Sequence, residues 1–103
     1  MTRTLFFMPA ARLEVMAAQD WYENEAQGLG ARFRAESDYQ AARIAATPLQ
    51  FPVMLADVRR ARLRRFPYGL FFRPLDDAIY VLACFHSSRE PLVWQARVSQ
   101  RKR

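Results

Sequence analysis

Arginine at alternate positions is the pattern in this chain that invites chemistry. Arg60, Arg62 and Arg64 stand at i, i+2 and i+4, and the only histidine, His86, closes an apolar run further on. Three guanidinium groups on one face of a strand repel one another unless a carboxylate or phosphate lies against them. The plain alternative is a solvated basic edge that discourages edge-to-edge pairing. The imidazole of His86 adds acid–base capacity near neutral pH if a neighbour orients it, and Ser87 and Arg89 are the nearest groups able to do so.

Other chemistries find less support. No Asp, Glu or second His stands at ligand spacing from His86, and the single cysteine, Cys84, lies inside an apolar run, so neither a metal site nor a disulfide framework is expected. Cys84 reads as a buried, inert thiol. Ser87-Ser88 lacks the Gly-x-Ser-x-Gly elbow of a nucleophilic serine. The three glycines, at positions 28, 30 and 69, form no phosphate-cradling loop, and no cofactor is expected.

The charge is segregated along the chain. Residues 1–57 hold five Arg against seven acids, a balance of −2, whereas residues 58–103 hold ten Arg and one Lys against three acids, a balance of +8. A basic surface of this kind raises encounter rates with acidic proteins and polynucleotides without selecting between them. At 103 residues and 51% hydrophobic, the chain suits one small domain with a single core. No apolar stretch approaches the ~20 residues of a membrane span, and no secretory leader is recognisable, so a cytoplasmic protein is expected.

The elements that must position these residues follow from periodicity. Thr4 to Met8 is an apolar run stopped by Pro9, a strand followed by a helix start. From Pro9 the residues are helix formers, with Leu13, Met16, Ala17 and Trp21 along one face and Gln27-Gly28 at the end. A second helix opens near Leu29, aligns Phe33, Ala41 and Ile44, turns Arg32, Arg34, Glu36 and Asp38 to solvent, and breaks at Thr47-Pro48. Leu49 to Asp57 reads as a connecting loop. Val58 to Phe66 alternates, with Ala61 and Leu63 inward and the arginines outward. Phe66-Pro67-Tyr68-Gly69 makes a bend, Tyr68 to Arg73 a second strand, Pro74 to Asp77 a hairpin loop, and Ala78 to Phe85 a strand buried on both faces. The sum is an α+β fold, β-α-α-β-β-β, a twisted and mainly antiparallel sheet with two antiparallel helices on one face. Arg60, Arg62 and Arg64 are then expected on the other, open face. Trp94 is read as the plug that pins the C-terminal segment to the sheet.

The segment VRRARLRRFPYGLFFRP followed by IYVLACFHSSREPLVWQAR resembles the RelE/ParE superfamily of bacterial type II toxins, and its ParE-type branch most. The Arg-rich strand, Phe66-Pro67-Tyr68, the apolar strand, and then His86, Arg89, Pro91 and Trp94 carry the resemblance. Trp21-Tyr22, the Gly28 to Phe33 link and Pro48 agree more loosely. RelE-like members are ribosome-dependent endoribonucleases that cut mRNA with basic residues on the sheet. By that likeness the catalytic set would be Arg60, Arg62, His86 and Arg89. The match departs at Gly69, where the nuclease pattern has arginine, and at Trp94, which replaces a tyrosine. Glycine offers no charge to a transferring phosphate and indole no oxygen-borne proton.

ParE-type members are not hydrolases. They poison DNA gyrase, serve plasmid stabilisation, and are silenced by a cognate antitoxin with a DNA-binding N-terminal part and an acidic C-terminal segment that wraps the toxin. The resemblance therefore implies a gyrase inhibitor held in a hetero-oligomer with its antitoxin, with Arg60, Arg62, Arg64, Arg89, Trp94 and Arg97 as the contact residues and no catalytic set. The alternative it leaves is the ribosome and mRNA as target.

Overall fold

A computed structural model describes residues 2–88. Strand β1 (Thr4–Phe7) leads into helix α1 (Pro9–Glu25) and helix α2 (Leu29–Ala46), followed by a 3-10 turn at Pro48–Gln50. Strands β2 (Val53–Leu55), β3 (Val58–Arg62), β4 (Tyr68–Pro74) and β5 (Ala78–His86) complete the order. The sheet runs β1-β5-β4-β3-β2, with β1 parallel to β5 and every other neighbour antiparallel. The α+β class and the β-α-α-β-β-β core are those expected.

Two boundaries differ from the sequence reading. The segment assigned to a loop contains β2, too short for alternation to register, which pairs Val53 with Arg59 and Leu55 with Val58 around an irregularity. The arginine strand ends at Arg62 instead of Phe66, because the backbone of residues 64–67 turns away in a run of bends. Arg64 therefore lies beyond the strand.

The helices form a hairpin whose link is built by two glycines. Gly28 sits at φ 87°, a left-handed conformation that β-carbons disfavour. Gly30 allows close approach: a β-carbon there would fall 2.6 Å from the carbonyl oxygen of Gln19 on α1. The Glu23 carboxylate of α1 accepts hydrogen bonds from the N–H groups of both Gly28 and Gly30, each at 2.9 Å, and so satisfies two donors at the start of α2.

The core between helices and sheet joins Ala11, Val15 and Ala18 of α1, Phe33 and Ile44 of α2, and Leu70, Phe72, Ile79 and Val81 of β4 and β5. A second cluster, Val58, Phe71, Leu82, Ala83 and Phe85, lies on the opposite face. A β-bulge makes both possible. Phe71 pairs with Ala83 but Phe72 pairs with Val81, so Leu82 is one residue more than the partner strand supplies. Ile79 and Val81 thus face the helices, Leu82 and Ala83 face away, and Cys84 returns to the helix side.

The apolar face expected of the first helix is its outer face. Leu13 is 65% exposed, Met16 48% and Trp21 56%, while the buried stripe consists of Ala11, Val15 and Ala18. Small residues face the sheet and large ones face water. Glu36, expected in solvent, is 7% exposed, and Ser37 and Gln40 are buried beside it.

Gly30→Ala tests the hairpin link. Its β-carbon meets backbone, which cannot swing aside, so urea unfolding should show a loss of about 1–3 kcal/mol with an unchanged slope.

Candidate functional site

The end of β3 is held by two buried polar side chains of α2. Gln40 Nε2 donates to the carbonyl oxygen of Arg62 at 2.9 Å, and Glu36 Oε1 accepts from the Arg65 N–H at 2.6 Å. Glu36 Oε2 also pairs with Arg64 Nη2 at 3.3 Å, and the Arg64 guanidinium lies over the Tyr39 ring, 4.0 Å from its centroid. The chain from 62 to 65 is therefore drawn onto α2. Arg64 goes with it, and the row expected on the open face is reduced to Arg60 and Arg62.

Register settles where those two lie. Arg60 stands opposite Phe71 and Arg62 opposite Gly69, and Gly69 stands opposite Phe85. Phe71 and Phe85 belong to the cluster on the face away from the helices. Gly69 is the gap through which the Arg60 stem runs: a β-carbon there would lie 3.2 Å from Arg60 Cγ and 3.3 Å from Cδ. The missing side chain that departs from the nuclease pattern is thus filled by the stem of Arg60. Arg60 Nε is buried and makes no hydrogen bond. Burial, and then the charge of Arg62, pull the Arg60 guanidinium below its usual pKa. A guanidinium stays charged at neutral pH, so this lowering marks a cation that lacks a counter-charge.

His86 lies on the other face. It stands opposite Tyr68, whose ring packs against the helix-side core, and the two rings meet edge-on with centroids 5.1 Å apart. Successive strand residues point to opposite faces. His86 Nδ1 accepts a hydrogen bond from the Ser88 N–H at 3.0 Å and lies 2.8 Å from the Ser88 hydroxyl oxygen. The sheet therefore separates Arg60 and Arg62 from His86. Tyr68 in turn joins an aromatic group with Tyr22, Phe33 and Phe66, in which burial pushes the Tyr22 hydroxyl above its ordinary pKa. Arg89, Trp94 and Arg97 lie outside the described residues.

Sequence reasoning missed Glu36 and Tyr39 as partners of Arg64, and Glu36 as the acceptor of the Arg65 N–H. The available signal was the i, i+4 pair Glu36 and Gln40, polar residues on the same stripe as Phe33 and Ile44. Among the described residues no group of three or more His, Cys, Asp or Glu could hold a metal, and no helix is long and apolar enough to cross a membrane.

Cys84 is buried, and burial together with the nearby Glu14 carboxylate pushes its thiol up to about 12. Glu14 Oε1 accepts the Cys84 N–H at 2.9 Å, satisfying a backbone donor of β5 beyond the end of β1. No nucleophilic role fits a thiol in that state.

No family model matches the chain, and no curated protein matches it. Solved structures do. A chain of a chromosomal ParDE toxin–antitoxin system from P. aeruginosa superposes with a TM-score of 0.71 at 20% identity, covering 82% of this chain and 96% of that one. A chain of the toxin–antitoxin complex RelBE2 from Mycobacterium tuberculosis superposes with a TM-score of 0.56, also at 20% identity, covering 84% and 92%. The chain has the RelE/ParE fold.

The thiol supplies a pH test. In the unfolded chain it ionises near 9.0, in the folded chain near 12, so the unfolded state loses its proton first and stability falls as pH rises between those values. The difference in unfolding free energy between the native protein and Cys84→Ala should be flat below pH 9.0 and should move in favour of the variant up to about 12. Paired urea titrations at each pH measure it.

Proposed function

We propose that this chain is the toxin of a type II toxin–antitoxin module, of the ParE-like kind, which inhibits DNA gyrase by binding and is neutralised by a cognate antitoxin. The fold shared with chains of the ParDE and RelBE2 systems supports the toxin role. The observation that carries the choice of a binding mechanism over a cutting one is the separation of His86 from Arg60 and Arg62 by the sheet. Arg60 and Arg62 are flanked on their face by Gly69, Phe71 and Phe85, none of which can transfer a proton. Guanidinium groups alone hold an anion well and transfer protons poorly, because they stay protonated.

The antitoxin of such a module would be small, with a DNA-binding part and an acidic segment. Carboxylates of that segment suit Arg60, whose buried Nε lacks a partner. The exposed apolar stripe Leu13, Met16 and Trp21 suits the hydrophobic face of a partner helix.

A second reading has one observation in its favour: two guanidinium groups side by side on an open sheet face are also what a transferring phosphate needs. In that reading the chain is a ribosome-dependent mRNA endoribonuclease of the RelE kind. Induction in growing cells separates the two. The binding mechanism predicts a DNA-damage response and filamentation with intact mRNA. Prompt translation arrest with codon-positioned mRNA cuts would overturn it, as would undiminished toxicity in cells with toxin-resistant gyrase.

Arg60→Ala with Arg62→Ala should fold with native cooperativity and weaken the antitoxin complex by roughly tenfold per arginine, since a charge-assisted hydrogen bond contributes about 1.5–3 kcal/mol. The loss should shrink at high salt, where such pairs are already screened. Calorimetric titration against the antitoxin at two salt concentrations measures both effects.

A further inference from the structure

Arg64, drawn off the open face, lines a groove between α2 and the β3–β4 connection. The groove has a volume of about 580 Å³ and is lined by Arg32, Glu36, Tyr39, Arg64, Arg65 and Phe66 among others. We propose that this groove binds an acidic peptide segment, with carboxylates on Arg32, Arg64 and Arg65 and apolar side chains against Tyr39 and Phe66. This deepens the reading of a peptide-neutralised toxin by giving the partner a second contact and the chemistry of that contact.

Charge is the first argument. Three guanidinium groups face one carboxylate, and that carboxylate is already taken by the Arg65 N–H and Arg64 Nη2. The side chains of Arg32 and Arg65 make no ion pair or hydrogen bond among the described residues. Both are exposed, so the lining carries an excess of two positive charges that an anionic occupant would offset.

Preorganisation is the second. Arg64 is fixed on both sides, by Glu36 at 3.3 Å and by the Tyr39 ring at 4.0 Å, with its remaining N–H groups free. A guanidinium held in this way loses less side-chain freedom on binding than one moving in water. Stacking on tyrosine also orients the planar fork, which suits a bidentate carboxylate.

The lining favours peptide over nucleic acid. Tyr39, Phe66, Leu29 and Ala35 form an apolar wall, while the buried Glu36 carboxylate forms part of the floor. A phosphodiester chain would bring a charge at every unit toward that carboxylate. A peptide can place apolar side chains there and keep its acids at the rim, beside Arg32 and Arg65. The α2 wall from Leu29 to Tyr39 is about 15 Å long, which matches about ten helical residues or four to five extended ones.

Fluorescence anisotropy with the purified chain tests this, using a fluorescein-labelled Glu-Leu-Asp repeat of about ten residues, its Gln-Leu-Asn counterpart, and an oligothymidylate of equal length. The acidic repeat should bind and the neutral one should not. Arg32→Gln with Arg65→Gln should weaken binding by about tenfold or more, while Arg12→Gln with Arg34→Gln, exposed arginines outside the groove lining, should change it by less than about twofold. Tyr39→Ala should also weaken it, because Arg64 loses its platform. Circular dichroism verifies each fold, and Arg32→Gln alone serves if the double variant unfolds. Absence of binding, or equal loss from both arginine pairs, would overturn the proposal. Tighter binding of oligothymidylate through Arg32 and Arg65 would replace it with a nucleic-acid site. The probe is synthetic, so a failure of the toxin reading in cells leaves this measurement intact, and the two are read apart.

Discussion

Everything that makes this surface specific depends on two buried polar side chains one helical turn apart. Glu36 and Gln40 sit on the core stripe of α2, and each bonds the backbone at the end of β3, Gln40 at the Arg62 carbonyl oxygen and Glu36 at the Arg65 N–H. Polar groups buried without partners are costly, so this pairing locks helix to strand end in one arrangement. The consequence reaches the arginines. Because the backbone at Arg62 and Arg65 is tied to α2, the alternation of the strand stops at Arg62, and Arg64 is drawn to the helix side.

The fold was largely legible in the sequence, because its signals are long. Pro9, Gly28 and Pro48 punctuate the helices, and alternation of apolar and charged residues marks β3. What escaped was short or ambiguous. Three residues of β2 carry too little pattern to separate them from a loop. The face of α1 was inverted because Leu13, Met16 and Trp21 are its larger apolar side chains, whereas the buried positions hold Ala11, Val15 and Ala18. Small residues let the helix lie close to the sheet, and a reading that weights side-chain size looks for the core on the wrong side. The apolar stripe that results faces water.

The candidate site was legible in its residue types and illegible in its geometry. Arg60 and Arg62 are where alternation puts them. Arg64 is not, since the strand ends at Arg62 instead of Phe66. His86 looked like a companion to the arginines because it ends β5 at the same end of the sheet as Arg62, but proximity along a sheet end says nothing of face. The bulge at Leu82 matters here, because it changes which residues of β5 share a side: five residues after Val81, which faces the helices, His86 faces them too.

The separation of the basic residues onto two sides of one sheet end has a consequence for anything that recognises this protein. Arg60 and Arg62 face one way and Arg64 and Arg65 the other, yet all four belong to one six-residue run, Arg60–Arg65. A rigid globular partner docking flat can meet one pair only. A flexible polypeptide that crosses the strand end can meet both, and once its first half is bound the second is tethered at an effective concentration in the millimolar range for a short connection. Two modest contacts then multiply into one tight complex, and a single cut between them would return each to its own weak affinity. Proteolysis of the partner would free both faces without any change in the protein itself.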